Sequence, residues 1–258
     1  MQTVLFNSTI FGPIHSRRLG SSLGVNLSPS DGKICSFDCL YCEAGYNAQG
    51  PGTSGLPART EVARMLDEKL AAMRAAGQGL DVITFSGNGE PTIHPDFAGI
   101  IDDTIALRDK YFPQVKISVL TNSTMLGRPQ VVEALRKVDN NILKLDSAIE
   151  RTVQLLDRPN LSYRLPKVIE QLAQFSGSGI IQTMITRGSH DGEAVDNSTD
   201  EEIAALIEAY RHINPRSIMI YSIDRRTPEQ SLQKVEKAEL RAIAARITEA
   251  TGIEVSVA

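Results

Sequence analysis

The sequence predicts an α/β protein built as a partial (β/α)6 TIM-like barrel. Two observations support this fold. Six short apolar or β-branched runs alternate with amphipathic helical segments, and a polar motif follows each run. Repeated βα units predict a parallel sheet, and right-handed crossovers curl such a sheet towards a barrel. Because a complete barrel needs eight units, six units predict an open one.

Each predicted strand is short and is bounded by polar residues or glycine. The six strands are residues 23–27, 81–86, 116–121, 142–146, 180–186 and 217–223. Gly252 and the following residues 253–257 predict a short additional strand near the end of the chain. The polar motifs that follow the strands should therefore meet at the carboxyl edge of one sheet, as they do in barrel enzymes.

The segments between the strands carry apolar residues at three- and four-residue spacing, which is typical of helices that bury one face. These apolar stripes begin at Val62, Phe97, Val132, Leu165, Ile203 and Leu240. Asp96 is a predicted helix start, and Thr199 with Glu202 forms a capping box. Residues 43–59 and 187–198 are predicted to be long polar loops, of the kind that often serve as lids.

Composition indicates a folded globular chain. It has 258 residues, 41% hydrophobic and 22% charged, which argues against disorder and coiled coil. We expect a single domain over residues 1–258, with a core at about residues 20–225 and a C-terminal helix and short strand at 226–258. The net charge of −4 predicts no broad basic surface for duplex nucleic acid.

The sequence contains no targeting or membrane signal that we can identify. No apolar run reaches the roughly 18–20 residues of a membrane span. The N-terminus lacks the basic segment that precedes the apolar part of a secretion signal. We therefore expect a cytoplasmic protein with no membrane partner.

All three cysteines of the chain, Cys35, Cys39 and Cys42, lie within eight residues, at C-x3-C-x2-C spacing. Disulfide frameworks use even numbers of cysteines spread over a chain, so this cluster indicates metal ligation. Three thiolates can bind three irons of a [4Fe–4S] cluster and leave the fourth iron open for a substrate or cofactor. The alternative is a zinc ion held by the three cysteines together with His15 or another residue.

The cysteine motif, with Tyr41 before the last cysteine, is followed by a strand that ends in Ser86-Gly87-Asn88-Gly89-Glu90-Pro91. This combination resembles the radical S-adenosylmethionine (radical SAM) superfamily. More narrowly, FGPIHSRRLGSSLGVNL, FSGNGEPTIHP, LTNST, LKLDS and LLDRPN resemble a subgroup of iron–sulfur oxidoreductases related to the wybutosine-type tRNA modification synthases. The resemblance covers most of the chain and implies the same partial barrel.

The resemblance implies two cofactors, a [4Fe–4S] cluster and S-adenosylmethionine (SAM). Cys35, Cys39 and Cys42 would bind three irons, and the amino and carboxylate groups of SAM would bind the fourth. The residues implied for SAM are Tyr41 near the adenine; Gly87, Asn88, Gly89 and Glu90 at the ammonium; Asn122, Ser123, Lys144 and Asp146 at the ribose and carboxylate; and Thr183 and Ile223 at the methionine and adenine ends. Asn88 replaces the central glycine of the family's GGE element.

Several of these residues have simpler structural interpretations. Asp146 could cap the helix that follows it. Arg17 and Arg18 could pin the N-terminal segment to the barrel instead of acting near the cluster or substrate. His94 precedes a proline and is predicted to make a turn contact, and a dinucleotide loop at Gly87 is disfavoured because the third glycine is missing.

The resemblance implies reductive cleavage of SAM to a 5′-deoxyadenosyl radical, which abstracts hydrogen from a substrate that the sequence does not identify. A reducing donor such as flavodoxin or ferredoxin would supply the electron. The tRNA-modifying relatives use additional cysteines, and RNA binding favours a basic groove, so RNA is the less favoured substrate here. The other substrate classes are a small molecule, a peptide and a partner protein. A partner protein would be the substrate if the chain is a glycyl-radical activase.

Two interpretations in which the protein is not an enzyme also stay open at this point. They are an iron–sulfur electron carrier and a structural zinc protein. An electron carrier should supply a fourth thiolate, and this chain has none outside the motif. A structural zinc site has no need of the polar motifs that end successive strands.

Overall fold

The computed structural model describes residues 4–16 and 20–258. Eleven strands occur within them, in chain order β1 (Ile10–Ser16), β2 (Gly20–Val25), β3 (Val82–Phe85), β4 (Lys116–Thr121), β5 (Asn140–Lys144), β6 (Ile180–Met184), β7 (Thr186–His190), β8 (Glu193–Asp196), β9 (Ser217–Tyr221), β10 (Gln233–Lys234) and β11 (Val255–Val257). The α-helices of this part of the chain are α1 (Arg59–Ala75), α2 (Phe97–Tyr111), α3 (Pro129–Lys137), α4 (Glu150–Leu156), α5 (Leu165–Ala173), α6 (Asp200–Ile213) and α7 (Lys237–Thr251).

One eight-stranded sheet organises the fold, in the order β1-β2-β3-β4-β5-β6-β9-β11. The six strands β2, β3, β4, β5, β6 and β9 pair parallel with one another in this order, and β11 adds another parallel strand beyond β9. Strand β1 pairs antiparallel with β2 at the opposite edge. The sheet does not close on itself, so the predicted partial barrel with six βα units is confirmed.

The core forms where the sheet meets the helices. Leu23, Ile83 and Ile117 lie side by side on β2, β3 and β4, and all are fully or almost fully buried. They belong to the same apolar cluster as helix residues such as Leu66 and Ile101. Each side chain of this size contributes about 1.5–3 kcal/mol when buried, so the paired strands and the apolar helix stripes fix the register together.

Two helix-start predictions have different outcomes. The Thr199 hydroxyl accepts a hydrogen bond from the Glu202 backbone N–H at 3.3 Å, so the predicted cap of α6 is confirmed. The Glu202 carboxylate does not complete a capping box, because it accepts hydrogen bonds from the Ser147 and Thr152 hydroxyls instead. Asp96 occupies the N-cap of α2, but its side chain makes no capping hydrogen bond.

Residues 187–198 are not the loop that the sequence predicts. They form most of the hairpin β7–β8, and β10 pairs with β7 to complete a three-stranded sheet. The predicted strand 180–186 is consequently divided, with β6 ending at Met184 and β7 beginning at Thr186. The hairpin is polar and rests on pairing with a segment more than 40 residues away, which local patterning does not reveal.

Strand β1 and helix α4 are also absent from the sequence prediction. Gly12 and Pro13 interrupt the alternation of β1, and the register shifts between Phe11 and Ile14. Helix α4 has seven residues and buries Val153 and Leu156, which is too short a pattern to recognise. The additional strand expected after Gly252 is present as β11. In residues 4–16 and 20–258, no helix has the length and apolar character to cross a membrane.

Candidate active site

The polar motifs meet at the carboxyl edge of the parallel strands. The cysteine loop follows β2, the Gly87–Glu90 segment follows β3, and Asn122 and Ser123 follow β4. Asp146 follows β5, and Ile223 follows β9. Because parallel strands present their carboxyl ends at one edge, the fold gathers residues that are almost 190 positions apart in the sequence.

The backbone of the cysteine loop is paired directly with the segment after β3. Ile34 N–H donates to Asn88 O at 3.1 Å, and Glu90 N–H donates to Ile34 O at 2.9 Å. A Cβ at Gly89 would lie 1.9 Å from Ile34 O, and Gly89 has a φ of 150°. Only glycine permits this approach, so the glycine fixes the loop against β3.

A second segment, residues 156–160, holds the loop from the other side. Leu40 N–H donates to Leu156 O and Asp38 N–H donates to Asp157 O, both at 3.0 Å. Asn160 donates from its backbone N–H to Ser36 O and from Nδ2 to Cys35 O, both at 2.9 Å. The LLDRPN segment contributes to the family resemblance, and these hydrogen bonds give it a role at the site that the motif alone does not indicate.

The three cysteines are partly exposed residues that form no disulfide. Burial of its thiol, assisted by the charge of Glu90, raises the pKa of Cys35 to about 12. Burial also raises the pKa of Cys39 well above its usual value, although Lys144 opposes the rise. Thiols with raised pKa are poor nucleophiles, whereas a bound metal deprotonates them directly, so this donor set fits a soft metal cluster.

The zinc alternative with His15 is wrong. The register of β1 on β2 places His15 opposite Ser21, near the amino end of β2, whereas the cysteine loop follows the carboxyl end. A zinc ion bound by the three cysteines at about 2.3 Å could not also reach the His15 side chain.

Glu90 is the buried carboxylate of the site, with 4% of its surface exposed. Oε1 accepts hydrogen bonds from the Thr92 N–H at 3.0 Å and from the Thr121 hydroxyl at 2.6 Å, and Oε2 accepts from the Asn122 N–H at 2.6 Å. Burial raises the pKa of Glu90 against the effect of these donors. The carboxylate is therefore rigidly held between the ends of β3 and β4.

Asn88 has a structural role that its position in the GGE-like element does not suggest. Its Nδ2 donates to Phe6 O at 2.8 Å and to Pro29 O at 2.9 Å, while its Oδ1 accepts from the Phe6 N–H at 2.8 Å. The side chain thus fastens the N-terminal segment to the site. A contact of Asn88 with SAM would have to come from its backbone, as it would from the neighbouring glycines Gly87 and Gly89.

Asn122 joins the end of β4 to the cysteine loop. Its Nδ2 lies 2.8 Å from the Ser36 hydroxyl and 3.6 Å from the Cys35 Sγ. Ser123 has a φ of 69°, a left-handed conformation that is unusual for a residue with a side chain, and its N–H donates to the Thr121 hydroxyl. Such strained turns cluster at functional sites.

Tyr41, Lys144, Asp146 and Asp157 form one buried polar network. The Tyr41 hydroxyl donates to Asp146 Oδ2, and Lys144 Nζ contacts both of these groups. Lys144 Nζ also lies 2.7 Å from Asp157 Oδ1. Asp146 does not cap a helix, because its Oδ1 accepts from the Met184 N–H at 2.9 Å. The structure therefore brings together three predicted residues and adds Asp157.

Thr183 and Ile223 are placed differently. The Thr183 hydroxyl lies 2.7 Å from Leu145 O and 2.6 Å from the hydroxyl of Tyr210 on α6, so this side chain faces a helix. Ile223 and Tyr41 pack against the same apolar cluster and line a small cavity of about 60 Å³. The roles of both residues towards SAM stay predictions.

Two further predictions concern the N-terminal arginines and His94. Arg17 and Arg18 lie outside the described residues. The turn contact of His94 is confirmed, because its Nδ1 accepts from the Asp96 N–H at 3.1 Å and its Nε2 lies 2.9 Å from Pro57 O.

Comparison with known sequences agrees with this site. The profile of the Radical SAM superfamily matches residues 30–186, more than half of the chain. A UPF0026 protein of Helicobacter pylori is 27% identical over 239 residues, which cover 90% of this chain and 72% of that protein. The chain is also 26% identical over 240 residues to a GTPase Obg of Brachyspira hyodysenteriae, and spans about a third (32%) of that protein.

Solved structures share the fold. A radical SAM methyltransferase from Sphaerobacter thermophilus superposes with a TM-score of 0.67 at 17% identity, over 92% of this chain and 65% of the other. Streptococcus suis SuiB bound to S-adenosylmethionine has a TM-score of 0.64 at 15% identity, over 91% of this chain and 50% of the other. At this identity the likeness concerns the fold, and this chain spans half the length of SuiB.

Three lines of evidence thus agree on one family. The fold is the expected partial barrel, the three cysteines lie at its carboxyl edge, and the family profile covers both the cysteine loop and strands β3 to β6. This family uses a [4Fe–4S] cluster and SAM, and its members require a reductant and a substrate. The chain belongs to the radical SAM superfamily.

Proposed function

We propose that this chain is an enzyme that binds a [4Fe–4S] cluster through Cys35, Cys39 and Cys42 and binds SAM at the carboxyl edge of β2 to β9. With one electron from an external reductant, the bound cluster would supply reductive cleavage of SAM to methionine and a 5′-deoxyadenosyl radical, which would abstract hydrogen from a substrate. The observation that carries this proposal is the placement of the three thiols. They lie in a loop that is hydrogen-bonded to the segments after β3 and α4.

The residues around the thiols have distinct proposed tasks. The backbone of Gly87, Asn88 and Gly89 and the held carboxylate of Glu90 would receive the ammonium group of SAM. A charge-assisted hydrogen bond to such a carboxylate contributes about 1.5–3 kcal/mol. Because Glu90 is already oriented by four hydrogen bonds from Thr92, Thr121 and Asn122, little side-chain freedom is lost when the ammonium binds.

Lys144 and Asp146 would bind the ribose and carboxylate, with Tyr41 and Ile223 near the adenine. Tyr41 comes from the cysteine loop itself, and Lys144 Nζ lies 4.6 Å from the centre of its ring. Asn122 and Ser123 would complete this side of the pocket.

Net charge and cysteine content restrict the class of substrate. The acidic net charge of −4 and the absence of any cysteine beyond the three in the motif argue against a tRNA-modifying enzyme with a second cluster. A small molecule, a peptide or a partner protein are the remaining classes, with flavodoxin or ferredoxin as the type of electron donor. The electron-carrier alternative lacks its fourth thiolate.

The test is anaerobic reconstitution with iron and sulfide, followed by dithionite and SAM. We expect 5′-deoxyadenosine from the wild type by chromatography, and none from Cys39→Ala. Glu90→Ala should retain the iron content and the absorbance near 400 nm of the wild type, but should bind radiolabelled SAM at least tenfold more weakly in equilibrium dialysis.

Ser178→Ala serves as the matched control for Cys39→Ala. Like Cys39→Ala, this variant removes a single side-chain atom. Ser178 lies in a turn before the amino end of β6, where its hydroxyl donates to Phe175 O at 3.1 Å. This variant should behave as the wild type. A chain that acquires the cluster but neither binds nor cleaves SAM would contradict the proposed function and favour an electron carrier.

A further inference from the structure

Lys33 lies two residues before the first cysteine, and its side chain is 2% exposed. The Lys33 side chain extends across the base of the cysteine loop. Its Nζ donates to Gly45 O at 2.7 Å, and the backbone N–H of Lys33 donates to Gly50 O at 3.1 Å. A buried ammonium is costly unless acceptors and negative charges surround it. The groups around Nζ therefore indicate the role of this buried positive charge.

Asp38 is the carboxylate beside Lys33, and it compensates the charge poorly. Asp38 Oδ1 is 3.8 Å from Nζ, beyond hydrogen-bond distance, and accepts instead from the Asn47 N–H at 2.6 Å. The other carboxylate oxygen lies 3.8 Å from the guanidinium of Arg158. Asp38 is thus shared between two cations.

The hydrogen bond to Gly45 O places the ammonium against the cysteine motif. Gly45 N–H donates to Cys42 O at 2.9 Å, so the carbonyl that holds Nζ belongs to the turn that closes the cysteine motif.

We propose that Lys33 sets the reduction potential of the cluster. This inference rests on the proposed cluster ligation by the three cysteines. One-electron reduction adds one negative charge to the cluster, and a fixed cation nearby stabilises the reduced form more than the oxidised form. Inside the protein this interaction is stronger than in water, and net charge is an established determinant of cluster potential. Lys33 therefore makes the cluster easier to reduce.

The test is a redox titration of the reconstituted chain, without SAM, monitored by electron paramagnetic resonance. Lys33→Met removes the charge and keeps the side-chain length. At the solution potential where the wild type is half reduced, we expect the ratio of reduced to oxidised cluster in Lys33→Met to fall about tenfold, which equals a shift of 59 mV to a more negative potential. Asp38→Asn removes the opposing charge, so its ratio should rise.

Lys116→Met is the matched control, because it removes an exposed lysine at the amino end of β4, on the opposite edge of the sheet. It should leave the ratio unchanged. Equal ratios in Lys33→Met and the wild type would overturn the proposal, as would shifts of Lys33→Met and Asp38→Asn in the same direction. If Lys33→Met does not take up iron, the titration of Asp38→Asn serves as the test. A shift of its reduction potential to a more negative value would overturn the proposal.

A wild type that forms no cluster would instead refute the proposed function. The two failures are distinguishable, because iron content and absorbance near 400 nm are measured on each sample before the titration.

Discussion

Lys144 occupies a position between two buried carboxylates at the carboxyl edge of β5. Its Nζ contacts Asp146 Oδ2 and lies 2.7 Å from Asp157 Oδ1, and both carboxylate residues are at most 2% exposed. Asp157 Oδ1 has no partner with hydrogen-bond geometry, so its ion pair with Lys144 is its main stabilising contact. Burial and the charge of Asp146 raise the pKa of Asp157 to about 7, although the charge of Lys144 opposes the rise.

This pKa predicts an unusual pH dependence of stability. Because the carboxyl pKa is raised from 3.8 to about 7 on folding, the folded chain binds more protons than the unfolded chain between these values. The free energy of unfolding should therefore fall as the pH rises from 4 to 7, by at most about 4 kcal/mol from this residue. Asp157→Asn should lack this contribution.

Urea unfolding of the cluster-free chain at pH 5 and pH 8 measures the effect. The wild type should lose more stability than Asp157→Asn between these two pH values. Asp109→Asn, which changes an exposed aspartate, should follow the wild type. Parallel pH profiles for Asp157→Asn and the wild type would show that Asp157 keeps an ordinary pKa.

Among the elements, the β7–β8 hairpin is hydrogen-bonded to the site by the side chain of Asn197. Asn197 is fully buried, and its Nδ2 donates to Asp146 O at 2.8 Å and to Met184 O at 2.6 Å. Its Oδ1 accepts from the Thr186 N–H at 2.8 Å. One amide thus joins the ends of β5 and β6 to the start of the hairpin.

Asn197→Ala should loosen the hairpin while the parallel sheet stays intact. Three buried backbone groups would lose their partners, each at a cost of about 1–3 kcal/mol. We expect faster amide hydrogen exchange across β7 and β8 and unchanged exchange in β3 and β4. Asn214→Ala, which removes an exposed amide at the end of α6, is the control. Uniformly faster exchange over the whole chain would contradict this local role.

The elements also separate what local patterning can and cannot reveal. Strand β4 has the predicted bounds, because its apolar run is buried on both faces and reads as continuous. The hairpin was missed because its stability depends on β10 and on Asn197, and not on an apolar period. Helix α4 was missed because its two buried residues, Val153 and Leu156, cannot define a helical face.

For the whole molecule, the cysteine loop is a meeting point of distant segments. Val4 N–H donates to Glu43 O, Asp38 N–H to Asp157 O, and Glu229 N–H to Leu40 O. The loop therefore contacts the N-terminal segment, the residues after α4 and the residues after β9. A group that binds the folded loop and not the unfolded chain should stabilise all of these segments together.

Cluster loading should consequently raise the stability of the entire chain. Binding at a hundredfold excess over the dissociation constant contributes about 2.7 kcal/mol, which corresponds to a rise in melting temperature of about 5–10 °C for a chain of this size. Scanning calorimetry under anaerobic conditions, before and after removal of iron by a chelator, measures the difference. Cys39→Ala carried through the same procedure should show no difference. Equal melting temperatures for the loaded and chelated wild type would contradict the prediction.

The sequence by itself determined the βα alternation, the open barrel and the identity of the three thiols. These features are local: an apolar period, a glycine or a cysteine spacing is visible in a short window. The tertiary structure decided which groups surround the thiols. Lys33, Asp157 and the residue 156–160 segment act through hydrogen bonds and ion pairs formed only after folding, and the side chain of Asn88 proved to be a structural fastener. Long-range contacts between polar residues have no sequence period, so only folding reveals them.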